Sequence, residues 1–278
     1  MSIASIEGRW QDPATGRTAG YRRWKPAHAR ALLVVVHGFG EHSGRYDVLA
    51  RQLAEQGMDV AAADIWAHGR SEGRRGDIES VDAIVRQIRL MTEKVFLPEF
   101  GHSEYVLYGH SFGGLIAILL AAGRPAGLRR LIAQSPLLEV GFEVPRWKIV
   151  AANILRRVWP ACTLSMNLDI SALSRDPAVP AAYRNDPLVH GCMSARTYWS
   201  LQEAKRRAMA QAPMVRVPTL LLCGEADRII SVEAARQWFE RLDTVKRFVS
   251  FPDCYHELHH EAVRDEVARL VAEWTLTP

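Results

Sequence analysis

The apolar residues of this chain follow two alternating rhythms. Short β-type runs occur at ALLVVV (from Ala31), MDVAAAD (from Met58, ending at Asp64), EYVLY (from Glu104), LRRLIAQS (from Leu128), PTLLLCG (from Pro218) and KRFVSF (from Lys246). Continuous runs of this length read as strands buried on both faces. Helix-period stretches lie between them. One covers Tyr46 to Gln56. A second runs from Ser80 to Phe96, with Val81, Ile84, Val85, Ile88 and Val95 at helical spacing behind Ser80 as N-cap. SFGGLIAILLAAG predicts a helix that stops at Gly123, and another is expected around Val232 to Leu242. The last is expected from about Glu257, with Val263, Val267, Leu270, Val271 and Trp274 as its apolar stripe. Strand–helix alternation of this kind predicts an α/β fold, a mostly parallel central sheet flanked by helices.

The rhythm breaks between about Leu137 and Ala212. No strand is predicted there, and Pro145, Pro160, Pro177, Pro180 and Pro187 interrupt mostly helical stretches. The expected organisation is a core of residues 1–136 and 213–278 with a helical cap, residues 137–212, inserted over the carboxyl edge of the sheet. That edge is where open α/β sheets take ligands. Within the cap, VPRWKIVAANILRRVWP (from Val144) forms an amphipathic helix. Trp147, Val150, Ala151, Ile154 and Val158 make one face; Arg146, Lys148, Arg156 and Arg157 supply charge. The expectation is that this helix packs on the core, with a membrane-touching lid as the alternative.

Composition narrows the class further. The chain has 278 residues, 48% hydrophobic and 24% charged, enough for one large soluble core. The net charge of +4 comes from scattered arginines rather than a basic run, so no nucleic-acid partner is expected, while an acidic membrane surface stays open. Cys162, Cys192, Cys223 and Cys254 are too dispersed for a disulfide framework or a metal knuckle. The first thirty residues hold no apolar signal core, and LIAILLAA (from Leu115) is too short to span a bilayer. A cytoplasmic location is expected, with peripheral membrane contact as the variant.

The strongest chemical signal is Gly109-His110-Ser111-Phe112-Gly113, a G-x-S-x-G between a predicted strand and a predicted helix. In that context the serine sits on a sharp, strained turn with its hydroxyl above the sheet. A serine nucleophile needs a base, and the base an orienting carboxylate, in the chain order Ser, Asp or Glu, His. Asp227 follows one strand end and His256 the next, at the same edge as Ser111; Glu225 is the rival carboxylate and Asp253 a weaker one. The oxyanion hole takes the Phe112 N–H and, from the loop after the first long strand, the Phe39 N–H.

These stretches together resemble a family. HGFGEHSGRY, DIWAHGRSEGRRG, GHSFGG, LSRDPAVPAAYRNDPLVHG, GEADRII and CYHELHHE run in the order seen in monoacylglycerol lipases and lysophospholipases of the α/β-hydrolase superfamily, from about residue 32 to 262. The resemblance implies an α/β-hydrolase fold with a helical cap, Ser111, Asp227 and His256 as the triad, Phe39 and Phe112 as oxyanion donors, no cofactor or metal, and a lipid ester as substrate. The acyl chain would lie in an apolar tunnel with a small polar head near Ser111. Where the family often shows D-H-x-G-H-G, this chain has Asp64-Ile65-Trp66-Ala67-His68-Gly69, a departure that bears on loop geometry and substrate preference. Other esterases, thioesterases, a proline-type aminopeptidase, an acyltransferase and a non-catalytic binding protein are the alternatives on the same scaffold.

His256-Glu257-Leu258-His259-His260 also fits the zinc pattern H-E-x-x-H, which needs both histidines on one helix. Pro252 and Asp253 place His256 in a strand-to-helix loop instead, so a chance match is expected, with His259 and His260 near the surface in the first helical turn. His37 and His110 are expected to hold loop shape, His42 and His68 to make structural hydrogen bonds, and His28, His102 and His190 to be solvated.

Overall fold

The computed structural model describes residues 3–277. An antiparallel pair, β1 (Ser5–Gln11) and β2 (Thr18–Trp24), comes first, then β3 (Ala31–Val36), α1 (Asp47–Glu55), β4 (Met58–Ala63) and α2 (Val81–Met91). A π-helical turn at Thr92–Phe96 and the short α3 (Leu97–Phe100) lead to β5 (Tyr105–His110), α4 (Phe112–Ala122) and β6 (Leu128–Gln134). Next come α5 (Arg146–Val158), β7 (Thr163–Ser165), α6 (Ala178–Asn185), β8 (Cys192–Ser194) and α7 (Ala195–Ala210). The chain closes with β9 (Thr219–Gly224), α8 (Val232–Glu240), β10 (Lys246–Phe251) and α9 (Arg264–Leu276).

The main sheet is eight-stranded, ordered β1-β2-β4-β3-β5-β6-β9-β10. From β4 to β10 neighbouring strands run parallel, while β2 joins β4 antiparallel. The run ALLVVV is apolar throughout because both faces of β3 are covered. Leu32, Val34 and Val36 pack with Ile84, Ile88 and Leu115 on one side. Leu33 and Val35 pack with Leu49, Leu53, Val267 and Val271 on the other. Helix α4 is buried along its whole length, so its sequence carries no amphipathic stripe. Strand order reverses between β3 and β5, and the crevice beyond the carboxyl ends of strands at such a point is where ligands bind.

The structure departs from the sequence reading in several places. β1 and β2 were not legible as strands: they form an edge hairpin that stays half exposed, so SIEGRWQ and TAGYRRW are largely polar. The segment between β6 and β9 is mostly helical but holds a small two-stranded antiparallel sheet, β7 with β8. The last helix begins at Arg264 rather than Glu257, and Leu258–His260 is a 3-10 turn.

The amphipathic helix α5 forms, but its apolar face points outward. Trp147 is 64% exposed and Val158 72%, with Val150 and Ile154 also exposed, whereas Ile149 and Ala152 face a cavity beneath. The packing face is therefore the opposite of the expected one.

Candidate active site

Ser111 lies between β5 and α4 with φ 53° and ψ −116°, a left-handed conformation that L-residues avoid unless the surroundings impose it. The surroundings here are two glycines. A Cβ on Gly109 would meet the Gly113 carbonyl oxygen at 2.3 Å, and one on Gly113 would meet the Val36 carbonyl oxygen at 2.0 Å. Only with both side chains absent does α4 pass close enough to β3 and β5 to make the turn.

Ser111 and His256 line one cavity of about 490 Å³, together with Gly38, Phe39 and apolar residues of the segment between β6 and β9. Among the described residues no hydrogen bond joins the two side chains; such contacts often tighten only when substrate is present. The His256 Nδ1 is 2.7 Å from Asp227 Oδ2. The other Asp227 oxygen accepts the N–H groups of Ile229 (2.8 Å) and Ile230 (3.0 Å), which fixes the carboxylate plane. Burial opposes charge on both groups, yet their mutual attraction and hydrogen bond prevail. Asp227 is held below the usual carboxylate range and His256 above the ordinary histidine value. The rivals lie elsewhere. Glu225 is exposed and accepts from the Ser250 hydroxyl, and Asp253 is exposed on a turn with φ 58°.

The loop after β3 presses on the serine: a Cβ on Gly38 would stand 3.4 Å from that of Ser111. His37 fixes this loop, its Nδ1–H donating to the Gly38 carbonyl at 2.7 Å while Nε2 accepts the Ile65 N–H. Phe39 follows directly, and its ring meets that of Phe112 edge-on at 5.5 Å. Phe112 opens α4, so its N–H is one of the helix's first, unspent donors.

A buried charge cluster, which sequence reasoning missed, stands behind the site. Glu41 Oε1 accepts the Gly38 N–H (2.6 Å) and the Tyr46 hydroxyl (2.8 Å), while Oε2 accepts Arg45 Nε (2.9 Å). Arg45 also reaches Glu257 (2.6 Å), and Glu257 bonds His260 (2.7 Å). The only sequence signal was the Glu41–Arg45 spacing of four. Gln134 was likewise missed: its amide lies 3.1 Å from His110 Nδ1 and 2.9 Å from His259 Nδ1, and accepts the Tyr108 hydroxyl.

HELHH is thus accounted for residue by residue. His256 pairs with Asp227, Glu257 with Arg45, His259 with Gln134, and His260 Nε2 with the Arg45 carbonyl. His259 is buried, not near the surface as expected. His190 and His102 are not solvated either. The ring of His190 packs 5.6 Å from Phe39 and 4.6 Å from His68, and His102 pairs with Asp59. In the departing loop, Ala67 takes φ 64°, a conformation that glycine would adopt without strain.

The sequence profile of the family described as "Serine aminopeptidase, S33" matches residues 27–263. The chain is 33% identical over 267 residues to an abhydrolase domain-containing protein of Dictyostelium discoideum, covering 92% of this chain but only 27% of that protein. It is 35% identical over 269 residues to monoglyceride lipase of Mus musculus, covering 94% of this chain and 88% of that one. The crystal structure of a monoacylglycerol lipase from Paleococcus ferrophilus superposes with a TM-score of 0.83 at 33% identity, over 99% of both chains. The fold, the serine at its turn and these similarities agree: the chain belongs to the serine aminopeptidase S33 family of α/β-hydrolases, among the monoglyceride lipases.

Proposed function

We propose that Ser111, Asp227 and His256 form the catalytic triad of a carboxylic ester hydrolase whose substrates are monoacylglycerols or lysophospholipids. The observation that carries this is the Asp227–His256 pair beside the strained Ser111 at one cavity wall. His256 takes the Ser111 proton as Oγ attacks the ester carbonyl, and the Phe39 and Phe112 N–H groups hold the oxyanion. Asp227 orients the imidazole and stabilises its charged form. The alcohol leaves with the proton from His256. Water, deprotonated by the same imidazole, then releases the acid from the acyl-enzyme. Ser111→Ala lowers turnover of a monoacylglycerol by roughly four to six orders of magnitude. Substantial remaining hydrolysis in the purified variant contradicts the assignment.

Residues 137–212 are the cap under this reading. Its apolar side chains, among them Leu164, Leu168 and Ile149, line the cavity for an acyl chain, while Glu41 and Tyr183 line it for a small polar head. An aminopeptidase needs a free carboxylate for the substrate amine. The carboxylates lining the cavity are already engaged, Glu41 and Glu257 by Arg45 and Glu139 by Lys205, which favours the ester reading.

The outward face of α5 supports contact with a lipid surface. Trp147, Val150, Ile154, Val158 and Trp159 are exposed beside Arg146, Arg156 and Arg157, a pattern suited to an anionic bilayer interface. Among the described residues no helix is long and apolar enough to cross a membrane.

A further inference from the structure

Helix α7 turns a polar stripe into the acyl cavity. Tyr198, Gln202 and Lys205 all line it, spaced four and three residues apart, so they share one helix face. The neighbouring wall from α5 carries Ile149 and Ala152 beside Lys148, whose ammonium already donates to the Ser165 carbonyl. A plain methylene chain has nothing to offer such a stripe.

Lys205 is the decisive member. Its side chain is 5% exposed, and its Nζ lies 2.7 Å from Glu139 Oε1. Among the described residues Glu139 is the hydrogen-bond partner of that ammonium, which can donate two further hydrogen bonds. Burying an ammonium beside hydrocarbon is unfavourable unless its protons are satisfied. Glu139 already balances the charge, so the acyl-chain group that suits this ammonium is a neutral acceptor rather than a second carboxylate. Burial and the nearby Glu139 carboxylate also push the Tyr198 phenol up, so it stays protonated and is a further donor.

We infer that the acyl group taken by this cavity carries an oxygen function, a ketone or hydroxyl, which meets Lys205 with Gln202 and Tyr198 beside it. Lys205 is then a specificity-determining residue. The inference rests on the reading of Ser111 as the nucleophile and of this cavity as the acyl site. A site built to hydrogen-bond a substrate oxygen rejects the analogue lacking it, whereas an apolar wall does the reverse.

The test uses the full chain and para-nitrophenyl esters of decanoate and of its mono-oxo analogues, with the ketone moved stepwise along the chain. The quantity read is the ratio of kcat/KM for each oxo ester to that for decanoate. At one or more positions the wild-type ratio is expected above one, and Lys205→Met lowers it by about tenfold, as for a lost charged hydrogen bond. The double variant Tyr198→Phe with Gln202→Leu lowers the ratio at the same position and serves if Lys205→Met does not fold. A wild type that prefers decanoate over every oxo ester, or ratios that neither variant changes, overturns the inference while leaving the ester-hydrolase reading intact. Failure of the wild type to cleave decanoate or any oxo ester sinks that reading, and the inference with it.

Discussion

Glu41 receives the Gly38 N–H, the Tyr46 hydroxyl and the Arg45 guanidinium at once. Burial pushes its carboxyl up, but the Arg45 charge together with His37 and the hydrogen bonds from Tyr46 and Gly38 outweighs that and holds it below the ordinary value. In the proposed mechanism it is a positioning residue, acting on the reaction through the loop that carries Phe39. Glu41→Ala leaves Arg45 with one buried partner, Glu257, and is expected to cost about 3 kcal/mol of stability, measured by urea unfolding. A loss below about 0.5 kcal/mol contradicts the buried-pair account. The pH profile belongs to this scale too. In the proposed mechanism His256 is the base, a role that only its neutral form can fill. Burial lowers its pKa, and Asp227 with the Glu257 and Glu41 charges behind it more than restores it, so the value lies above the ordinary 6.5. The kcat/KM profile is therefore expected to fall on acidification through a midpoint above 6.5. Asp227→Asn moves that midpoint down and lowers kcat by about ten-thousand-fold. A wild-type midpoint below 6.5 speaks against the Asp227–His256 coupling.

At the scale of elements, legibility followed burial. Strands covered on both faces announce themselves as unbroken apolar runs, and β3, β5 and β9 lie where ALLVVV, EYVLY and PTLLLCG put them. The hairpin β1–β2 did not, because a half-exposed edge asks little of its side chains. The helix at Arg146–Val158 was legible as a helix but not in its orientation. Periodicity gives the apolar stripe of a helix, and whether that stripe meets a core or an outside surface is decided by the rest of the fold. Its outward stripe gives a prediction at this scale. Vesicles containing anionic lipid are expected to retain the protein in a flotation assay, and Trp147→Glu with Ile154→Glu to release it. Equal retention of wild type and variant removes the lipid-surface role of α5.

Across the whole molecule, the stretches that carry the resemblance are those that touch each other. The segment containing LSRDPAVPAAYRNDPLVHG docks on the loop after β3 through His42–Asp186 (2.8 Å) and His190 N to the Gly40 carbonyl (2.9 Å). It docks on the HELHH turn through Glu257 N to the Leu173 carbonyl (2.8 Å) and through Arg175 to Glu261. The candidate triad was legible because each member follows a strand end in a fixed chain order. The charge cluster of Glu41, Arg45 and Glu257 was not, because its members are brought together only by tertiary folding, Arg45 and Glu257 lying 212 positions apart. The same closure sets the histidines of H-E-x-x-H apart: the turn is 3-10, and His256 and His260 are turned to different partners. The measurement that bears most directly on the account is fluorophosphonate labelling of the wild type and Ser111→Ala, with mass spectrometry of the labelled peptide. The account predicts one adduct, on Ser111, absent from the variant. A folded wild type that takes no label, or label that persists in the variant at another residue, contradicts it.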